Sequence, residues 1–272
     1  MSSKTDFSIK NKNRLLLFFT LVFVISWGAI YILAGPSGFP INEDQAMIMG
    51  IAILLGPTLA SIIVTALSGR SGFQSLFSHL FKWRVSLRWY ATALLIAPLS
   101  TAVTVGFLSL FTSEFQPNIL MSSDKIGLLI SAIFAGLIVG IFEELGWTGF
   151  AVPRLFKNHS ILGTGAIVGI IWGAWHFPLF WEANSFTTSL PLILLLARLL
   201  SWLPPYRILM VWIYKNTESL FVTIVMHASL VATLMVLDPV NNGANLVIFI
   251  LARAILLWTI ASVMIVRGRK NA

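Results

Sequence analysis

The chain of 272 residues is 57% hydrophobic and 10% charged, contains no cysteine and carries a formal net charge of +8. Soluble domains carry about 25% charged residues, so an ordinary globular domain is excluded. Without thiols, so are disulfides, thiol catalysis and cysteine-ligated metal or iron–sulfur centres. The mean hydropathy of +0.89 points to a polytopic membrane protein. Its basic residues gather in every second loop, a pattern of membrane topology and not of a nucleic-acid surface.

A helix needs roughly 20 apolar residues to cross the hydrocarbon core. Runs of that kind lie near 14–34, 46–67, 89–111, 126–152, 162–180, 189–214, 218–237 and 244–266. The expected fold is therefore all-α, one integral membrane domain over 1–272 with about eight transmembrane helices. The first run, Leu15 to Ala34, follows Lys4, Lys10, Lys12 and Arg14. It exceeds the about 7–15 residues of a signal-peptide core and reads as an uncleaved helix. Short turns are expected at Gly35-Pro36-Ser37-Gly38, from Gly69 to Gly72 and from Asp238 to Gly243.

Between the second and third runs, Phe73, Leu76, Phe77, Leu80 and Phe81 recur at helical spacing, with His79, Lys82 and Arg84 among or after them. That pattern predicts an amphipathic helix lying in the membrane interface. Basic residues near the N-terminus, at Arg70 to Arg88, at Arg154 and Lys157, at Lys215 and at Arg267 to Lys270 fall on one side. Glu43, Asp44, Glu114, Asp124, Glu182 and Asp238 fall on the other. Both termini are therefore expected to be cytoplasmic, in a bacterial plasma membrane. In the sixth run Pro204-Pro205 removes backbone donors, so a broken span and a shorter elbow both fit. Arg198, Arg207 and Arg253, in or near apolar runs, read as snorkelling to the interface.

The polar residues at membrane depth are few. Glu143 and Glu144 close the fourth run, and an intramembrane carboxylate costs about 2.5–3.5 kcal/mol on insertion scales. They lie about ten residues, or roughly 15 Å, from the cytoplasmic end, and His227 lies at a similar depth in the seventh run. His176 shares that level if the fifth span starts near Gly165. Two histidines and a carboxylate allow two routes to hydrolysis. One is a divalent metal such as zinc held by Glu143, His176 and His227. The other is a glutamate base acting on water with histidine assistance. The same residues also suit a proton relay in a transporter. His79 and His159 read as solvated residues.

Glu143-Glu144-Leu-Gly-Trp-Thr-Gly-Phe, Trp172-Gly-Ala-Trp-His176-Phe-Pro, and Trp212-Ile-Tyr-Lys-Asn-Thr followed by Met226-His227-Ala resemble the motifs of the CAAX-processing and bacteriocin-processing (CPBP, or Abi) family of intramembrane proteases. Gly56-Pro-Thr-Leu-Ala and the stretch Trp83 to Tyr90 are also similar to that family, so the likeness runs over about residues 50–235. The resemblance implies an intramembrane endopeptidase acting on a membrane-associated or lipidated peptide or protein. In that role Glu143 would be the base, Glu144 a structural or second catalytic carboxylate, and His176 and His227 water-orienting, oxyanion or metal-binding groups. Members of the family are commonly labelled metalloproteases.

Two positions depart from the family pattern. The first motif is Glu-Glu-x-x-x-Arg, and Thr148 stands at its arginine. Arg154 is too far along the helix to substitute. The third motif places Asn or Asp four residues after its histidine, where Val231 stands, and Thr223 is the nearest polar residue to compensate. The alternatives to an active protease are a degenerate member serving as a binding or immunity scaffold, for example against a bacteriocin, and a proton-coupled transporter. The expected partners are the lipid bilayer and a peptide or protein substrate, not nucleic acid.

Overall fold

The computed structural model describes residues 2–35, 43–182 and 184–270, and among them every regular element is helical. The turn expected at 35–38 lies, apart from Gly35, outside the described residues. In chain order the helices are α1 (Ser2–Ala34), α2 (Glu43–Ala66), α3 (Gly69–Leu80), α4 (Leu87–Leu108), α5 (Asn118–Met121) and α6 (Lys125–Gly146). A π-helical turn, Trp147–Ala151, joins α6 to α7 (Val152–Leu155). Then come α8 (Ile161–Trp175), α9 (Phe177–Phe180) and α10 (Ser189–Leu196), and a second π turn, Ala197–Ser201. The chain ends with α11 (Leu203–Thr217), α12 (Leu220–Val236) and α13 (Gly243–Lys270).

Among the described residues six continuous helical runs are long and apolar enough to cross a membrane, and α8 and α12 are shorter apolar helices. Together they occupy the eight stretches expected from hydropathy. Large apolar side chains face outward on nearly every span, among them Ile62, Val103, Phe134, Ile170 and Ile255. A water-soluble protein would bury such a surface, whereas lipid solvates it. The amphipathic helix forms as α3. Leu76 packs on Leu220 and Ile224, and the rings of Phe73, Phe77 and Phe81 stack along its exposed face.

Three prolines show how the bundle copes with backbone breaks in a medium without water. Proline cannot donate to the carbonyl four residues before it, and lipid cannot satisfy that carbonyl either. Pro57 frees the Ile53 carbonyl, which accepts from Ser26 Oγ at 2.6 Å. Pro98 frees that of Leu94, which accepts from Ser229 Oγ at 2.8 Å. Pro205 frees that of Ser201, which accepts from Trp258 Nε1 at 3.0 Å. Each donor belongs to another span, so each break becomes an interhelical tie. The sixth span is thus broken rather than shortened: α10 unwinds through the π turn, and α11 restarts with Pro204 in its first turn, where the missing N–H is no loss.

Small residues set the remaining contacts. On α8, Gly165, Gly169 and Gly173 form one seam against α11 and the turn before it. A Cβ at these positions would lie 2.6 Å from Ile208 Cα, 2.6 Å from Pro204 Cα and 2.0 Å from the Leu199 carbonyl oxygen. On α6, a Cβ at Gly136 would lie 2.4 Å from the Ala228 carbonyl oxygen and one at Gly140 2.9 Å from that of Ile224, both on α12. Small residues at such spacing let membrane helices approach backbone to backbone. The two seams press α8 onto α11 and α6 onto α12, and the polar residues sit where these pairs meet.

Candidate active site

The sequence of α6 ends in its two glutamates, and the π turn that follows begins with the wholly buried Trp147. Glu143 is 2% exposed and Glu144 0%. Their surroundings differ sharply. Glu144 is fully paired: Arg207 Nη1 donates to its Oε1 and Oε2 at 2.7 and 2.8 Å, and His227 Nδ1 meets Oε1 at 2.7 Å. Thr148 Oγ1, one turn further along, donates to Oε2 as well. Among the described residues Glu143 has a single hydrogen-bond partner, Trp172 Nε1, which donates to Oε2 at 2.6 Å.

The tautomers of the two histidines follow from what they face. His176 caps α8, and its Nδ1 lies 2.8 Å from the Trp172 carbonyl, which can only accept, so Nδ1 carries the proton. His227 Nδ1 faces a carboxylate already committed to a guanidinium, so it also donates. In its neutral form each ring therefore presents Nε2 as an acceptor. Trp172 stands between them, its ring centroid 5.1 Å from that of His176 and 5.5 Å from that of His227. Tyr206 ties the neighbourhood together by donating to the Met226 carbonyl at 3.0 Å, next to His227.

Glu143 and His176 line one cavity of about 540 Å³ with Ile51, Ile53, Ile138 and Leu179, among other apolar residues. Ile51 and Ile138 belong to α2 and α6 and are 59% and 51% exposed, so the cavity opens between these helices onto the lipid-facing surface. Its walls are apolar and its polar groups few, the composition of a ligand site.

The four expected site residues are thus brought into one neighbourhood, with corrections to the details. The fifth span begins at Ile161, capped by Ser160, which puts His176 about 22 Å up α8 and not level with the glutamates by residue count. It reaches their cavity nonetheless, because a count along a helix axis is not depth along the membrane normal. Arg207 does not snorkel. It is 0% exposed and pairs with Glu144. Arg253 is likewise buried, against Asp238 at 2.7 Å, and Arg198 meets Glu182 at 2.6 Å. Thr223 does not stand in for the group missing at Val231: its hydroxyl donates within its own helix, to Leu220 O at 2.8 Å. Among the described residues, no three His, Asp or Glu side chains lie together in a way that could hold a metal ion.

Arg207 and Trp172 were the functional candidates that motif reading passed over. The signal for Arg207 was present. It lies ten residues before the end of α11 at Thr217, about 15 Å, the depth already derived for the glutamates and His227.

A buried carboxylate–histidine cluster opening on an apolar cavity within a helical bundle defines the class: an integral membrane protein with a polar site inside its span bundle. Comparison with known proteins narrows this. Residues 125–233 match the family model of Rce1-like, type II CAAX prenyl endopeptidases. The chain is also 27% identical over 259 residues to CAAX prenyl protease 2 of Methanococcus maripaludis, covering 89% of this chain and 93% of that protein. The matched segment contains Glu143, Glu144, Trp172, His176, Arg207 and His227.

Proposed function

We propose that the chain is an intramembrane endopeptidase that hydrolyses a peptide bond of a membrane-associated or lipidated peptide or protein, a CAAX prenyl substrate, as in its relative's name, being the first candidate. The observation that carries this reading is the asymmetry of the glutamates. Glu144 is held on both oxygens, whereas Glu143 keeps one oxygen without a hydrogen bond and lines the cavity. In this scheme Glu143 takes a proton from a water molecule as the water oxygen bonds to the scissile carbonyl carbon. The carbon–nitrogen bond then breaks as the proton passes to the leaving amine, giving a carboxylate and a free amine. His176 and His227 hold the water through Nε2, and Glu144 keeps the His227 ring in its tautomer, as a buried carboxylate does for a catalytic histidine. The opening between α2 and α6 suits an acyl or isoprenoid chain entering from the bilayer.

No step of this scheme is routed through a metal, and a zinc ion on Glu143, His176 and His227 would be the alternative way to activate the same water. The basic loops favour cytoplasmic termini, with the whole chain acting as one integral membrane domain. A peptide-immunity role for the same hydrolytic site is a matter of substrate. The test is cleavage of a fluorogenic lipopeptide panel by purified wild type and Glu143→Ala, each with and without chelator. Activity that vanishes in the variant and survives chelation supports the scheme. Loss on chelation, restored by zinc, would replace it with a metal mechanism.

A further inference from the structure

The two glutamates are linked by a pair of residues to which no motif assigns a role. Arg207 reaches Glu144 from α11, and its guanidinium carbon also lies 4.1 Å from the centroid of the Trp172 ring. Trp172 in turn donates its indole N–H to Glu143. Arg207 Nε and Nη2, both buried, make no hydrogen bond, so its charge is met by the carboxylate and the indole face. A cation over an indole face is attracted by the ring quadrupole and draws electron density from the ring, which makes the N–H a stronger donor. One guanidinium thus acts on Glu144 directly and on Glu143 through Trp172. The approach depends on the α8 glycine seam, since a Cβ at Gly169 would stand 3.3 Å from Arg207 Cβ.

We propose that Arg207 is a positioning residue for both glutamates, reaching the second through Trp172. It supplies from α11 the cation that position 148, one turn beyond Glu144, lacks. Thr148 and Arg207 touch the same Glu144 oxygen, so an arginine at 148 would reach that carboxylate too. The consequence for rate rests on the hydrolase reading; the linkage does not. A misplaced catalytic group can cost about 10²-fold in rate. Arg207→Ala is therefore expected to lower kcat by about that factor with KM little changed, and Thr148→Arg in the same chain should restore part of the loss by holding Glu144 again.

The test has two arms. In the first, indole ¹⁵N–¹H spectra of the detergent-solubilised full chain, with ten tryptophans, identify the Trp172 signal by its loss in Trp172→Phe. That signal should move in Glu143→Gln and also in Arg207→Lys, a variant chosen because it keeps a cation in the fold. A Trp172 signal that responds to Glu143→Gln but not to Arg207→Lys overturns the inference, whether or not the protein cleaves anything. In the second arm, kcat and KM are measured for wild type, Arg207→Lys, Arg207→Ala and Thr148→Arg/Arg207→Ala. Unchanged kcat in Arg207→Ala, or a loss carried wholly by KM, also overturns it. A coupled Trp172 signal in a wild type that cleaves no substrate would sustain the linkage and remove the hydrolase reading instead.

Discussion

Among the described residues two arginine–carboxylate pairs lie inside the helical bundle, and they look alike. Arg207 meets Glu144 at 2.7 Å beneath the Trp172 ring, and Arg253 meets Asp238 at 2.7 Å with its guanidinium 4.4 Å from the Trp202 centroid. Both arginines are at most 5% exposed. What separates them is the company they keep. Glu144 has a histidine on one oxygen and, beside it in sequence, a carboxylate that faces a cavity. Asp238 has neither, and its pair ties the α12–α13 turn to α13. A buried ion pair is thus no mark of function by itself. Desolvation absorbs much of its attraction, and it is retained because removing one partner strands the other. What sets the Glu144 pair apart is its neighbour Glu143, one of whose oxygens accepts no hydrogen bond among the described residues.

The sharpest way to break the comparison is to strand each arginine in turn. Glu144→Ala should cost about 3–5 kcal/mol of stability and abolish cleavage. Asp238→Ala should fall at the low end of that range, because its carboxylate is 22% exposed, and leave the rate per folded molecule unchanged. Thermal unfolding in detergent together with active-fraction kinetics separates the two, and a loss of intrinsic rate in Asp238→Ala would erase the distinction. A smaller effect is expected where α8 meets the π turn. In Gly173→Ala the added methyl must displace the Leu199 backbone, at a cost of about 1–3 kcal/mol, and activity should fall with it, since α8 carries Trp172 and His176.

Ser229→Ala leaves the Leu94 carbonyl freed by Pro98 without its donor, so about 1 kcal/mol of stability should go with no change in kcat. Restoring a regular helix with Pro98→Ala in the same chain should recover it. The smallest effect lies at the surface. Lys82 lies 3.1 Å from Glu218 and, by hydrogen bonding and charge, holds that carboxyl below its usual range. A carboxyl with a depressed folded-state pKa stabilises above its unfolded value and loses that contribution as pH falls through the folded one. The pair is exposed and worth at most about 1 kcal/mol. Glu218→Gln should remove a slight acid-side loss of stability, seen as unfolding curves that differ near neutral pH and converge in acid.

Much of this architecture is legible in the sequence, because hydropathy reports directly on the bilayer. The eight apolar stretches and the amphipathic α3 follow from run length and from the spacing of Phe73, Leu76 and Phe77. Glu143, Glu144, His176 and His227 stand out because polar groups are costly at that depth. Arg207 and Arg253 were misread, since an arginine in an apolar run has two physical solutions, the interface or a buried acid. Only packing chooses between them. The pairing of Ser26, Ser229 and Trp258 with proline-freed carbonyls was equally hidden. It joins residues far apart in sequence, although each proline announces that some donor must exist.

The proposed function turns on Glu143 as the carboxylate that activates water through the oxygen Trp172 leaves open. The most direct measurement is the single-turnover cleavage rate of Glu143→Gln beside wild type, in chelator, on a lipopeptide that wild type cleaves. Glutamine is nearly isosteric and can still accept from Trp172 through its amide oxygen, so the fold and cavity should persist while the base is lost. The expected result is a folded variant slower by about 10²–10⁴-fold beside a wild type undiminished by chelator. A variant that cleaves at the wild-type rate would contradict the account.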